Sequence, residues 1–139
     1  MKPLPKTEDS LVLRSDFSDD AAWKAVCAAI QEPNGEGFKA YVECISDPAY
    51  SGLTVEQLVA LAPKGGDHTF AFLVDRVTLT SAERPVLVVD LYEEPGRTFR
   101  VIPAEMWGVE NNLSLANMDF AEFAGAVDHD EVFRGFPAV

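Results

Sequence analysis

Apolar positions along the chain follow two periods. Leu11-Val12-Leu13, Phe70–Val74 and Val86–Val89 are short unbroken runs, the pattern of strands buried on both faces. Trp23, Val26, Cys27 and Ile30 instead recur at i, i+3, i+4 and i+7, one apolar helix face. Ser18-Asp19-Asp20 gives that helix a cap and acids for the positive end of its dipole. Pro33-Asn34-Gly35 stops it. Lys39–Ile45 predicts a second strand, and Asp47-Pro48 with Ser51-Gly52 marks the loop after it. Thr54 and Gln57 form a capping box for a helix through Leu58 and Leu61, ended by Pro63 and Gly65-Gly66.

Thr69–Asp75 is the third predicted strand, followed by a polar link through Ser81. Val86–Tyr92 and Thr98–Ile102 are two more, joined across Glu93–Arg97, where Pro95-Gly96 suits the middle of a type II turn. Pro103 fits the first position of a further helix, whose core face carries Met106, Val109, Leu113 and Ala116. Asn117 suits a left-handed stop, and Asp119 with Glu122 caps a last helix over Phe120–Val127. The predicted order is β-α-β-α-β-β-β-α-α. It describes a single α/β domain over residues 11–139 after a flexible tail over residues 1–10. Its mixed sheet has about five strands with helices packed on it, parallel in the first half with right-handed crossovers and closed by an antiparallel C-terminal hairpin.

Composition narrows the functional classes. An apolar fraction of 47% and a mean hydropathy of +0.01 over 139 residues describe a soluble globule. No apolar run approaches the ~18 residues of a membrane helix, and none follows the first lysines as a secretion signal requires. Cys27 and Cys44 lack CxxC spacing, and Cys27 falls on a helix stripe. Reduced, buried thiols and a cytoplasmic location are therefore expected.

Charge changes the picture most. The chain holds 11 basic and 23 acidic residues, net −12, and residues 101–139 hold seven acids and one base. Such a surface repels phosphate backbones and argues against nucleic acid. It suits a basic protein partner, although solubility alone also accounts for it. No membrane contact and no cofactor is expected, and a homo-oligomer is allowed.

Candidate chemistry is sparse. Asp16 and Asp75 end the first and third strands, where open α/β sheets bind ligands. Were those strands neighbours, the two carboxylates would offer hard oxygen ligands to a divalent cation. The DxDx[ST] pattern of aspartate-nucleophile phosphatases is absent, because Ser18 stands at the second position. Asp90 lies in the apolar run Val86–Tyr92, and a buried carboxylate needs a partner. Arg97 and Arg100, across the hairpin, are the candidates, either as a structural ion pair or as a recognition pair in a pocket. His68 and His129 fall in loops, and Gly65-Gly66 lacks the lysine of a phosphate loop.

In "MWGVENNLSLANMDF" (residues 106–120), Asn117 and Asp119 read as helix grammar. Asn111 and Asn112 do not. Asn is a mediocre helix former, and two beside Trp107 suit an interface or a pocket rim as well as a structural bond to a loop. Leu11–Ser18 ("LVLRSDFS"), Asp47–Leu58 ("DPAYSGLTVEQL"), Pro85–Pro103 ("PVLVVDLYEEPGRTFRVIP") and Met106–Phe123 ("MWGVENNLSLANMDFAEF") together resemble an uncharacterised bacterial family, mostly actinomycete, known as a domain of unknown function. The resemblance implies a small standalone protein and brings no activity, cofactor or catalytic residue. Two functions follow from the residues themselves. One is a non-enzymatic binding protein using Trp107, Asn111, Asn112 and nearby acids. The other is a small enzyme or metal-binding protein using Asp16 and Asp75, with Arg100 beside them.

Overall fold

Three strands whose every residue is buried form the centre of the sheet: β1 (Ser10–Arg14), β3 (Phe70–Val74) and β4 (Val86–Asp90). Side chains alternate between faces along each strand. Val12, Phe70, Phe72, Val74, Val86 and Val88 enter the larger core, whereas Leu11, Leu13, Ala71, Leu73, Leu87 and Val89 enter the smaller one on the opposite face. The flanking strands are β2 (Val42–Ile45), β5 (Thr98–Val101) and β6 (Val132–Phe133). The computed structural model describes residues 2–63 and 65–136; Met1 of the predicted tail and residues 137–139 of the predicted domain lie outside them.

The sheet order is β2-β1-β3-β4-β5-β6. β2 and β3 both run parallel to β1, β4 is antiparallel to β3 and β5, and β6 runs parallel to β5. The chain leaves β1 toward β2 on one side and returns to β3 on the other. A preference for right-handed crossovers then sends the two connecting helices to opposite faces. That is where they lie: α1 (Asp20–Gln31) packs Trp23, Val26 and Ile30 into the larger core, and α2 (Val55–Leu61) packs Leu58 into the smaller. α4 (Met106–Ser114) and α5 (Phe120–Ala124) cover the rest of the larger core with Met106, Val109, Phe120 and Phe123.

The α/β class, the mixed sheet, the parallel start and the β4–β5 hairpin match the pattern of the sequence. The sheet has six strands among the described residues rather than about five, because Val132-Phe133 adds an edge strand too short for any periodicity. The expected polar link through Ser81 contains a helix, α3 (Arg76–Thr80), capped by Asp75. β1 begins at Ser10, inside the predicted tail. Before it, the Tyr50 hydroxyl donates to the Pro3 carbonyl at 2.5 Å and Leu4 packs on the smaller core.

Candidate functional site

The carboxyl edge of the parallel strands is filled by two ion pairs. The Arg14 side chain is almost wholly buried: Nε donates to the Asp16 carbonyl at 2.9 Å, one terminal nitrogen to Asp20 at 2.7 Å and the other to the Ser46 hydroxyl at 3.3 Å. Its guanidinium lies 4.3 Å from the centre of the Phe17 ring and 5.5 Å from that of Trp23, where cation–π attraction adds to the hydrogen bonds. Arg100 grips Asp75 in a fork, at 2.8 and 3.0 Å. Burial alone would raise the Asp75 carboxyl, but Arg100 and the Thr78 amide overcome it and hold the group below its ordinary value. β1 and β3 are neighbours, as the metal reading requires. The two carboxylates are nevertheless engaged apart. Asp16 accepts from the Ser18 hydroxyl and amide, which lower its carboxyl. Asp75 is held by Arg100 and the cap of α3. Among the described residues no three His, Cys, Asp or Glu side chains converge as a metal site needs.

The opposite edge holds the two buried acids. Asp90 is not paired with an arginine. Its carboxylate accepts the amides of Tyr92, Glu93 and Glu94 at 2.9, 3.3 and 3.0 Å, closing the turn after β4. Arg97 bonds to Glu94 instead, and Arg100 to Asp75. A pocket of about 160 Å³ opens beside Asp90, lined also by Tyr92, Leu113, Met118 and Phe120. Glu110 was not singled out by sequence, yet it ties α4 to the amino ends of β1 and β2. One oxygen accepts the Tyr41 amide at 2.8 Å; the other accepts the hydroxyls of Ser114 at 2.5 Å and Ser10 at 3.4 Å. Its signal was present: Glu110 stands four residues after Met106 and three before Leu113, on the core side of the helix.

Asn111 and Asn112 part company. The Asn112 side chain turns back one helical turn and donates to the Gly108 carbonyl at 2.8 Å, while the Asn112 backbone carbonyl accepts the Asn117 amide at 2.9 Å. With Ala116 at φ 56°, this is a Schellman stop in which Ala116, rather than the expected Asn117, takes the left-handed position. Asn111 is exposed and lines a shallow cleft of about 140 Å³ with Phe38, Lys39, Tyr41 and Trp107. There the Phe38 and Trp107 rings stack, centroids 5.0 Å apart at 14°. Phe38 is 50% exposed, Tyr41 62% and Leu115 64%, so from the half-buried Trp107 an open face continues through Asn111 at i+4 to Leu115 at i+8, the residue that caps α4.

The loop that presents Phe38 is shaped by its own polar groups. The Asn34 carboxamide oxygen accepts the amides of Glu36 and Phe38, the Asn34 amide donates to the Phe38 carbonyl at 2.8 Å, and Gly37 supplies φ 85°. Immediately after it comes β2, the outermost strand on its side of the sheet. Trp107 and Asn111 are thus brought together with Tyr41, inside the predicted strand Lys39–Ile45, and Phe38, just before it. Asp90, Arg100, Asp16 and Asp75 lie elsewhere.

No curated protein matches the sequence. The family model described as Domain of unknown function (DUF6924) matches residues 9–136, a span that contains all the strands and helices above, and the chain belongs to that family.

Proposed function

We propose that the protein is a non-enzymatic binding protein of the bacterial cytoplasm that captures a basic protein segment. The observation that carries this reading is the open aromatic surface of Phe38, Tyr41 and Trp107 beside the free edge of β2. Exposed aromatic residues next to partly buried ones are the usual anchors of protein interfaces. A free strand edge offers backbone hydrogen bonds to an extended partner. Glu36 and Glu43, two residues before Phe38 and two after Tyr41 in sequence, are exposed and outnumber Lys39 of the cleft, and the net charge of −12 favours a cationic partner over a second copy of this chain. The engaged states of Asp16 and Asp75 leave the enzymatic alternative without a specific observation in its favour.

The test is retention of a native-lysate partner on immobilised protein. Wild type should hold a stoichiometric basic protein that elutes with rising salt. The double variant Phe38→Ala/Tyr41→Ala should lose it while melting within a few degrees of wild type, since both side chains are half or more exposed. Recovery of the wild-type chain alone, or equal capture by the double variant, overturns the reading.

A further inference from the structure

The two cysteines, separate in sequence, meet in the fold. α1 is the crossover between β1 and β2, so its apolar stripe lies over those strands. Cys27 stands beside Val26 on that stripe; Cys44 is in register with Val12 of β1, and both cysteines pack on the same core. Gln31, one turn after Cys27, points its amide nitrogen at the Cys44 sulfur from 4.0 Å. The two thiols act on each other: Cys44 lowers the Cys27 thiol against the opposing effect of burial, with help from the Arg14 charge, and Cys27 together with burial raises Cys44. Each side chain is only partly buried, so a small oxidant has access to both.

We propose that Cys27 and Cys44 are an oxidation site that closes into a reversible intramolecular disulfide in response to a hydroperoxide. A hydrophobic role alone does not call for two thiols on one core, with Cys44 lying against the same helix face that carries Cys27. A thiolate that attacks and a second thiol placed to resolve it are what peroxide-responsive pairs share. In the first step the Cys27 sulfur attacks the terminal oxygen of hydrogen peroxide. The O–O bond breaks, Cys27 becomes a sulfenic acid and one water leaves. In the second step the Cys44 sulfur attacks the Cys27 sulfur, the S–O bond breaks, the S–S bond forms and a second water leaves. The two thiols are oxidised by two electrons and the peroxide is reduced by two. The ring so closed contains Phe38 and Tyr41, but the chemistry stands whether or not that surface binds a partner.

Wild-type protein titrated with hydrogen peroxide should lose two hydrogens in intact mass, yield a cross-linked peptide joining Cys27 to Cys44, and regain both thiols with dithiothreitol. In Cys44→Ala the sulfenic acid should accumulate on Cys27 and be trapped by dimedone. Cys27→Ala should be modified about tenfold more slowly. Independent over-oxidation of both cysteines without a cross-link, or cross-links only between chains, overturns the site. Faster trapping at Cys44 in the Cys27→Ala chain overturns Cys27 as the attacking sulfur. The first arm uses the native chain and so decides the matter even if a variant fails to fold.

Discussion

A carboxylate at the end of an apolar strand has to find donors, and Asp90 finds them in the turn that follows it. Only 2% of the residue is exposed, and all three hydrogen bonds to its carboxylate come from backbone amides. The need for a partner was legible in the sequence, because an uncompensated buried charge is costly. The partner was not. Backbone donors leave no mark on a sequence, and Arg97 and Arg100 looked equally close across the hairpin. Asparagine has nearly the same shape but only one acceptor oxygen, so in Asp90→Asn its NH₂ must face an amide hydrogen. The variant should lose about 1–3 kcal/mol in urea denaturation; an unchanged midpoint would mean that the turn closes without the carboxylate. Asn112 teaches the same lesson. What looked like a polar residue on display spends its side chain on Gly108, whereas Asn111 stays free on the surface.

Elements longer than one period of their own pattern were legible. The all-buried strands, the stripe of α1 and the capping boxes at Thr54/Gln57 and Asp119/Glu122 all stand where the sequence put them. α3, with five residues, and β6, with two, are too short to show a period. β6 is fastened by its neighbour Arg134, which pairs with Glu83 and Asp128 at 2.8 Å and with Asp130 at 2.7 Å. Hydrogen bonds from Arg134 lower the Glu83 carboxyl and bring Asp130 from 3.8 to about 2. A carboxyl depressed in the folded chain stabilises above its unfolded value and loses that contribution as pH falls through the folded one. Because these groups are exposed, the effect is local to the strand they tie down. Amide shifts of Val132 and Phe133 should therefore move between about pH 4 and pH 2, ahead of those in β1 and β3, and Arg134→Met should flatten the change. Titration of β6 in step with the central strands would show that Arg134 is not what holds it.

At the scale of the molecule, the sequence announced one α/β domain but could not order its strands, since which neighbours pair depends on contacts far apart along the chain. It did specify the charge, and the fold decides where that charge sits. Only Asp90 and Glu110 are buried among the described acids, so nearly all of the 23 acidic side chains share the surface with most of the 11 bases, Arg14 being buried. Even with every base paired, the excess of 12 negative charges remains, and its self-repulsion works against the compact state. Salt acts on both contributions. It weakens the exposed ion pairs, which are worth little to begin with, and it screens the repulsion as the Debye length shrinks from about 30 Å at 0.01 M to about 8 Å at 0.15 M. Repulsion is the larger of the two, so Tm should rise by a few degrees over that range. Capture of a basic partner, which feeds on the same unscreened charge, should weaken over the same range. Opposite slopes for folding and for binding distinguish an acidic surface that serves recognition from one that serves solubility alone. A Tm that falls with salt would instead mean that the ion pairs of Arg14, Arg100 and Arg134 outweigh the excess charge.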